Sequence, residues 1–198
     1  MPPPLIYYIR HGETEWNALG RFQGSQDIPL NDLGRRQAVA AGAILQDLLN
    51  CGAPDVALPF VASPLGRARQ TMELLRGALD LPPHGYAVDD RLREIGYGRW
   101  EGSTLSEMQA SDPELFGARL IDKWGVPPPG GESYATVTAR MRDWYRSLTG
   151  DTVAVAHGGT LRALLVALGL KTPDDAAELF IEQGVVYVLS EGTWTKHG

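Results

Sequence analysis

Residues 5–17 read LIYYIRHGETEWN. Leu5 to Ile9 form a continuous apolar and aromatic run, the pattern of a strand buried on both faces. The run stops at Arg10, His11 and Gly12 and continues in polar residues. A guanidinium, an imidazole and a glycine at the end of a buried strand need a reason. In open α/β sheets that end is where ligands bind.

Two further strand-like runs end in a similar way. PFVASP (59–64) is followed by Arg67, in the first turn of the next helix, and TVAVA (152–156) is followed by His157, Gly158 and Gly159, which open another helix. The glycines let backbone approach a ligand closely, and helix N-termini add unpaired N–H donors with a dipole that favours an anion. Arg10, His11, Arg67 and His157 at equivalent strand ends, with no acid beside each, would repel one another around an empty core. A bound dianion removes that cost. Phosphate fits best, because the guanidinium fork matches it in two places at once.

Helical spacing fills the intervals. NDLGRRQAVAAGAILQDLLN carries Leu33, Ala41, Ile44, Leu45 and Leu48 on one face, with Asn31 or Asp32 as cap. Ser63 is expected to cap the helix of LGRARQTMELLRGAL, with Pro64 in its first turn and Leu65, Ala68, Leu75 and Leu79 as its stripe. ESYATVTARMRDWYRSL repeats the spacing through Val137, Met141, Trp144 and Leu148. GTLRALLVALGL is a helix stopped by Gly169 and Pro173, and VVYVLSEGTWTK reads as two short strands round a turn at Glu191 and Gly192. Strand and helix in alternation imply an α/β fold, with a mostly parallel sheet covered on both faces and an antiparallel edge from the final run. Residues 82–131 are rich in proline and glycine, with short helices at best, such as SEMQAS. They read as a site-shaping insertion within a single domain spanning 1–198.

The bulk numbers narrow the classes. The chain has 198 residues, 43% of them hydrophobic, which is enough to bury a full core. A formal charge of -6 argues against nucleic acid but leaves room for a local arginine cluster. The lone Cys51 rules out an internal disulfide and reads as a small, idle thiol. The MPPP start lacks a basic, then apolar, leader, and no apolar run approaches the roughly 20 residues of a membrane span. A cytoplasmic protein with no membrane partner is expected. Metal is a poor rival to phosphate. The four histidines, His11, His84, His157 and His197, make no paired motif, and arginines beside the candidate ligands repel a divalent cation. There is no GxxxxGK[ST] loop and no strand-linked GxGxxG.

Phosphoryl transfer needs a nucleophile, cations for the equatorial oxygens and a proton for the leaving oxygen. His11 is the candidate nucleophile, because the glycine beside it leaves a carbonyl free to orient the ring. Arg10, Arg67 and His157 would clamp the oxygens, each worth about 2.7–4 kcal/mol. RLREIGYGRWEG supplies two candidate acids, Glu94 and Glu101. The residue types alone do not choose between them.

Four blocks, RHGETEWN, SPLGRARQT, LREIGYGRWEG and AHGGTLRAL, in that order, resemble the histidine phosphatase superfamily, the phosphoglycerate-mutase-like proteins. The resemblance runs from the first strand to about residue 169. It implies a three-layer α/β/α domain and a phosphohistidine intermediate on His11. Arg10, Arg67, His157 and Gly158 fall in its phosphate pocket, Glu94 at its proton donor, and Asn17 and Gln23 at accessory phosphate-binding positions. It implies neither metal nor other cofactor, and a structural role for Glu101. The loop GRFQGSQDIPL, the HGG step and the few cations of GARLIDKWGVPPPGGES, Arg119 and Lys123, resemble the phosphatase branch more than the cofactor-dependent mutases. The expected activity is hydrolysis of a small-molecule phosphomonoester. A phosphoglycerate mutase and a phospholigand-binding module with little turnover are the rivals. Residues 97–130 are expected to set the leaving group, with Trp100, Phe116, Leu120 and Trp124 as an apolar wall.

Overall fold

The computed structural model describes residues 3–50, 58–190 and 192–198. Cys51 and Glu191, both singled out above, lie outside them. In chain order the elements are β1 (Ile6–Arg10), α1 (Glu15–Ala18), α2 (Asp32–Asn50), β2 (Phe60–Ala62), α3 (Gly66–Ala78), β3 (Ala87–Val88), α4 (Leu105–Ser111), α5 (Pro113–Ile121), α6 (Tyr134–Arg146), β4 (Thr152–Ala156), α7 (Gly158–Ala167), α8 (Pro173–Glu178), β5 (Val186–Ser190) and β6 (Thr193–His197). The sheet order is β3-β2-β4-β1-β5-β6. The first three contacts are parallel, and β5 and β6 add antiparallel.

Alternation along the strands makes the layers. Ile6 and Tyr8 of β1 point into one apolar cluster with Ala154, Ala156 and Leu161, while Ile9 points into another with Val153, Val155 and Met72. The first cluster is closed by α6 and α7, whose Val137, Met141, Trp144, Leu161 and Leu164 are buried, and also by Leu92, Ile95 and Trp100. The second is closed by α2 and α3 through Ala41, Leu45, Ala68 and Leu75. The expected α/β/α arrangement with an antiparallel edge is therefore present.

Local chemistry differs from expectation in several places. Asn31 caps α2, its side chain accepting from Gly34 N–H at 2.8 Å, but Leu33, expected on the apolar face, is exposed in the first turn. Ser63 does not cap α3. The helix starts at Gly66 after Leu65, and the Ser63 hydroxyl lies 2.7 Å from His157 Nε2. Pro64 thus precedes the helix, not in its first turn. The 82–131 segment holds more order than its composition suggests: β3, α4 and α5, the last capped by Asp112 with Pro113 in its first turn. Pro173 does more than follow α7, since it opens α8 behind the Thr172 cap.

Two glycines meet backbone to backbone below the end of β1. A β-carbon on Gly12 would run into the Gly34 carbonyl, and one on Gly34 into the Glu13 carbonyl. Neither obstacle is a side chain that can turn away. Gly34→Ala is expected to lower stability by about 1–3 kcal/mol through this overpacking. Gly117→Ala, inside α5 with open space around it, is expected to be neutral or to stabilise by up to about 1 kcal/mol. Urea unfolding of the two variants checks the contrast.

Candidate active site

The ladder levels three strand ends. Arg10 pairs with Ala156, and His11 N–H donates to the Ala156 carbonyl at 2.9 Å. On the other side of β4, Ser63 N–H donates to Val155 O at 2.9 Å. His11, Ser63 and His157 therefore leave the sheet side by side. The His11 and His157 rings meet edge to face with centroids 5.1 Å apart.

His11 is buried, and its Nδ1 lies 2.7 Å from the Gly12 carbonyl. A carbonyl only accepts, so Nδ1 carries the proton and Nε2 keeps its lone pair. Arg67 Nε donates toward that atom at 3.3 Å. Burial holds the His11 pKa well below the ordinary imidazole value, with Arg67 and Arg10 pushing the same way. The ring is thus neutral and nucleophilic near neutrality.

Arg67 is fully buried yet forms no ion pair among the described residues. Its guanidinium donates to the carbonyls of Gln26 at 2.5 Å and Gly24 at 2.9 Å. Glu101 braces that loop, accepting from Ser25 N–H and Oγ at 2.9 and 2.8 Å and from Gln26 Nε2 at 3.2 Å. Arg10 Nη1 donates to Ile181 O at 2.5 Å. Ser63 Oγ accepts from Leu65 N–H at 3.3 Å and lies 2.7 Å from His157 Nε2, a contact in which either atom can donate. Where Oγ donates, His157 Nδ1 bears the ring proton. Burial, then Arg67, His11 and Arg10, hold this imidazole's pKa well below its ordinary value too.

A cavity of about 300 Å³ opens here, lined by Arg10, His11, Asn17, Gln23, Arg67 and Glu94 among others. Gly158 also lines it, whereas His157 itself sits behind, packed against the His11 ring. The buried side-chain atoms without a partner among the described residues are Arg10 Nε, Gln23 Oε1 and His157 Nδ1. All three belong to residues expected in a phosphate pocket. Asn17 Oδ1 is occupied by Thr14 N–H and Gln183 Nε2, both at 3.2 Å, which leaves its NH₂ for the cavity. Glu94, not Glu101, borders the cavity. Its Oε1 accepts from Ile95 N–H at 2.9 Å and its Oε2 from Gly159 N–H at 3.4 Å. A β-carbon on Gly159 would strike the Glu94 carboxyl and Ile95, so this approach requires glycine.

Sequence reasoning overlooked three contributors. Ser63, expected to cap α3, contacts His157 Nε2 instead. Arg162 lines the cavity one helical turn after Gly158, a spacing that AHGGTLR shows. Gln183 donates to His11 O at 3.1 Å, and no local pattern announces it. Among the described residues no three His, Cys, Asp or Glu side chains gather so as to hold a metal. No helix among them is long and apolar enough to cross a membrane.

The family model of the histidine phosphatase superfamily, branch 1, matches residues 6–195, and the chain belongs to that superfamily. Within it, the glucosyl-3-phosphoglycerate phosphatase of Mycolicibacterium vanbaalenii is 39% identical over 177 residues, covering 82% of this chain and 73% of that protein. The 2,3-bisphosphoglycerate-dependent phosphoglycerate mutase 2 of Gloeobacter violaceus is 33% identical over 192 residues, 90% of this chain and 81% of that one. The solved structure of mycobacterial glucosyl-3-phosphoglycerate phosphatase in complex with VO3 is similar with a TM-score of 0.80 at 33% identity, covering 98% of this chain and 96% of that one.

Lowered imidazole pKa values have a consequence for stability. Below about pH 6.5 the unfolded chain takes up protons at His11 and His157 that the folded site refuses, so stability falls as pH drops; above that value these groups are neutral in both states and contribute no slope. The urea midpoint is expected to fall between pH 7.5 and 5.5, and the fall to shrink in His11→Asn. An unchanged midpoint in the wild type contradicts the assignment.

Proposed function

We propose that the protein is a phosphomonoesterase that hydrolyses small phosphorylated metabolites through a phosphohistidine on His11, without a metal ion or other cofactor. One observation carries the reading: His11 Nε2 is left unprotonated by the Nδ1–Gly12 bond, and His11 lines one cavity together with Arg10, Arg67 and Glu94. In the first step the Nε2 lone pair attacks phosphorus. The ester P–O bond breaks, and the leaving oxygen takes a proton from Glu94. In the second, water attacks phosphorus while Glu94 takes its proton. The P–N bond breaks, and inorganic phosphate and neutral His11 remain.

Arg10, through the free Nε, and Arg67 offset charge on the equatorial oxygens in both steps. His157 supplies an Nδ1 proton beside the nucleophile, Asn17 and Gln23 amide groups, and Gly158 the N-terminal end of α7. The names of the relatives support small phosphorylated substrates. We read residues 1–198 as one catalytic domain in which 82–131 shape the leaving-group side. The acidic balance speaks against nucleic acid as a partner, and the cytoplasm is the proposed compartment.

The similarity to a phosphoglycerate mutase favours one second reading, a mutase that depends on a bisphosphorylated primer. A panel of phosphomonoesters assayed with EDTA, with and without 2,3-bisphosphoglycerate, separates the two. A phosphatase releases inorganic phosphate with EDTA present and without the primer; a mutase requires the primer and releases little. His11→Ala is expected to lose about 10⁴-fold or more in turnover, and Arg67→Gln about 10²–10³-fold. Acid-quenched wild-type enzyme should yield an acid-labile phosphoprotein that His11→Ala does not form.

A further inference from the structure

Leu179 to Gln183 join α8 to β5, and alternate residues of this stretch hold groups of the site. Leu179 O accepts from Arg162 Nε at 2.9 Å, and Ile181 O from Arg10 Nη1 at 2.5 Å. Gln183 continues the period with its side chain. Its Nε2 donates to His11 O at 3.1 Å and to Asn17 Oδ1 at 3.2 Å. Glu182, between them, is held from another direction. Its N–H donates to the Tyr187 hydroxyl at 2.7 Å, and its carboxylate pairs with Lys196 of β6 at 2.5 Å. Gly184 then turns the chain into β5 at a φ of 77°, with Gln37 of α2 close against it. Gln183 is thus fixed by its chain neighbours on both sides.

Asn17 has no such support of its own. It belongs to α1, a single turn of four residues, none of them buried. One turn gains little from helical cooperativity, and no packed surroundings select the Asn17 rotamer. Hydrogen bonds must select it. Its Oδ1 accepts from Thr14, through the N–H and the hydroxyl, and from Gln183 Nε2, each at 3.2 Å. The Thr14 bonds lie within the same turn and move with it. The Gln183 bond ties the amide to a segment 166 positions away. Were the amide turned over, its NH₂ would meet these donors and its oxygen would face the cavity. An oxygen there repels a phosphoryl oxygen, whereas an NH₂ binds it.

We propose that Gln183 is a positioning residue for the phosphate site. Anchored on His11 O, it keeps the Asn17 oxygen turned away from the cavity and so presents the Asn17 NH₂ to the phosphoryl group. Asn17 lines the cavity and Gln183 stands behind it, so Gln183 acts through Asn17 and not by touching substrate. Its bearing on turnover rests on the phosphomonoesterase reading of the His11 site; its bearing on phosphate binding is measured separately.

A double-mutant cycle of Asn17→Ala and Gln183→Met tests this role. The readouts are the Kd of inorganic phosphate by calorimetry and kcat/KM on p-nitrophenyl phosphate. Each single variant is expected to weaken phosphate binding about tenfold, the scale of one hydrogen bond to a charged group, and to lower kcat/KM by a similar factor. The double variant is expected to match Asn17→Ala, because without the amide Gln183 has nothing to orient. A loss of packing alone would recur in full in the Asn17→Ala background and would lower the urea midpoint. Gln183 is half-buried, and Gln183→Ser, too short to reach Asn17, carries the comparison should the Met variant not fold. Wild-type phosphate affinity in the Gln183 variants, or a double variant in which the two losses multiply, overturns the positioning role and leaves the phosphatase intact. A wild type that binds phosphate but hydrolyses no ester overturns the phosphatase alone, since the Kd cycle still decides the role. A wild type that does not bind phosphate overturns both.

Discussion

The site depends on one hydrogen bond, from His11 Nδ1 to the carbonyl of the next residue, at 2.7 Å. That bond selects the tautomer, and with it the atom that can attack. The Gly12 residue that accepts it is itself held in place. Thr71 Oγ1 accepts from Gly12 N–H at 3.0 Å and donates to Arg67 O at 2.8 Å. Gly34 presses against the same peptide from below. One short network thus ties His11 to α2 and to α3, the helix that carries Arg67. A β-carbon at Gly12 or Gly34 would separate them.

The sheet supplies the second constraint. Parallel register between β1 and β4, and between β4 and β2, brings three chain segments far apart in sequence to one level. Once level, the groups interact at distances where burial matters more than solvent. Arg67 is fully buried, and both imidazoles are nearly so. Cations in such a place depress imidazole protonation, so the two rings stay neutral beside them. A neutral ring is the form that attacks phosphorus, and positive charge nearby is what the phosphoryl oxygens need. Both requirements are met by the same guanidinium groups.

Much of this was legible in the sequence, for reasons that also explain the omissions. His11, Arg67 and His157 could be found because each follows an apolar run whose end the α/β architecture places at a ligand-binding edge. Glu94 could be chosen over Glu101 only by family resemblance. In the fold Glu94 is held at the start of α7, while Glu101 spends its oxygens on the 25–26 loop. Ser63 looked like a cap because Ser-Pro before a helix usually is one, and a tertiary partner won instead. The helices α5 and α8 are short and begin at prolines, so their spacing was too brief to register. Ile181 O and Gln183, which hold Arg10 and His11, lie more than 170 positions along the chain from them. No local pattern encodes such a contact.

The arginines differ in what holds them. Arg91 and Arg140 are matched to carboxylates, Asp89 at 2.6 Å and Glu132 at 3.0 Å. Arg21, at the rim of the cavity, is matched to Glu107 at 2.8 Å. Arg10, Arg67, Arg119 and Arg162 donate to backbone carbonyls instead. A carboxylate would both hold and neutralise the cation; a carbonyl only holds it. An acidic chain can therefore keep a focus of positive potential where its ligand sits. The cost is desolvation of unpaired charge, which an empty site bears in full and an anionic ligand relieves. That difference between the free and the occupied site is itself binding energy, and it is available to a ligand that brings negative charge to the cavity at His11.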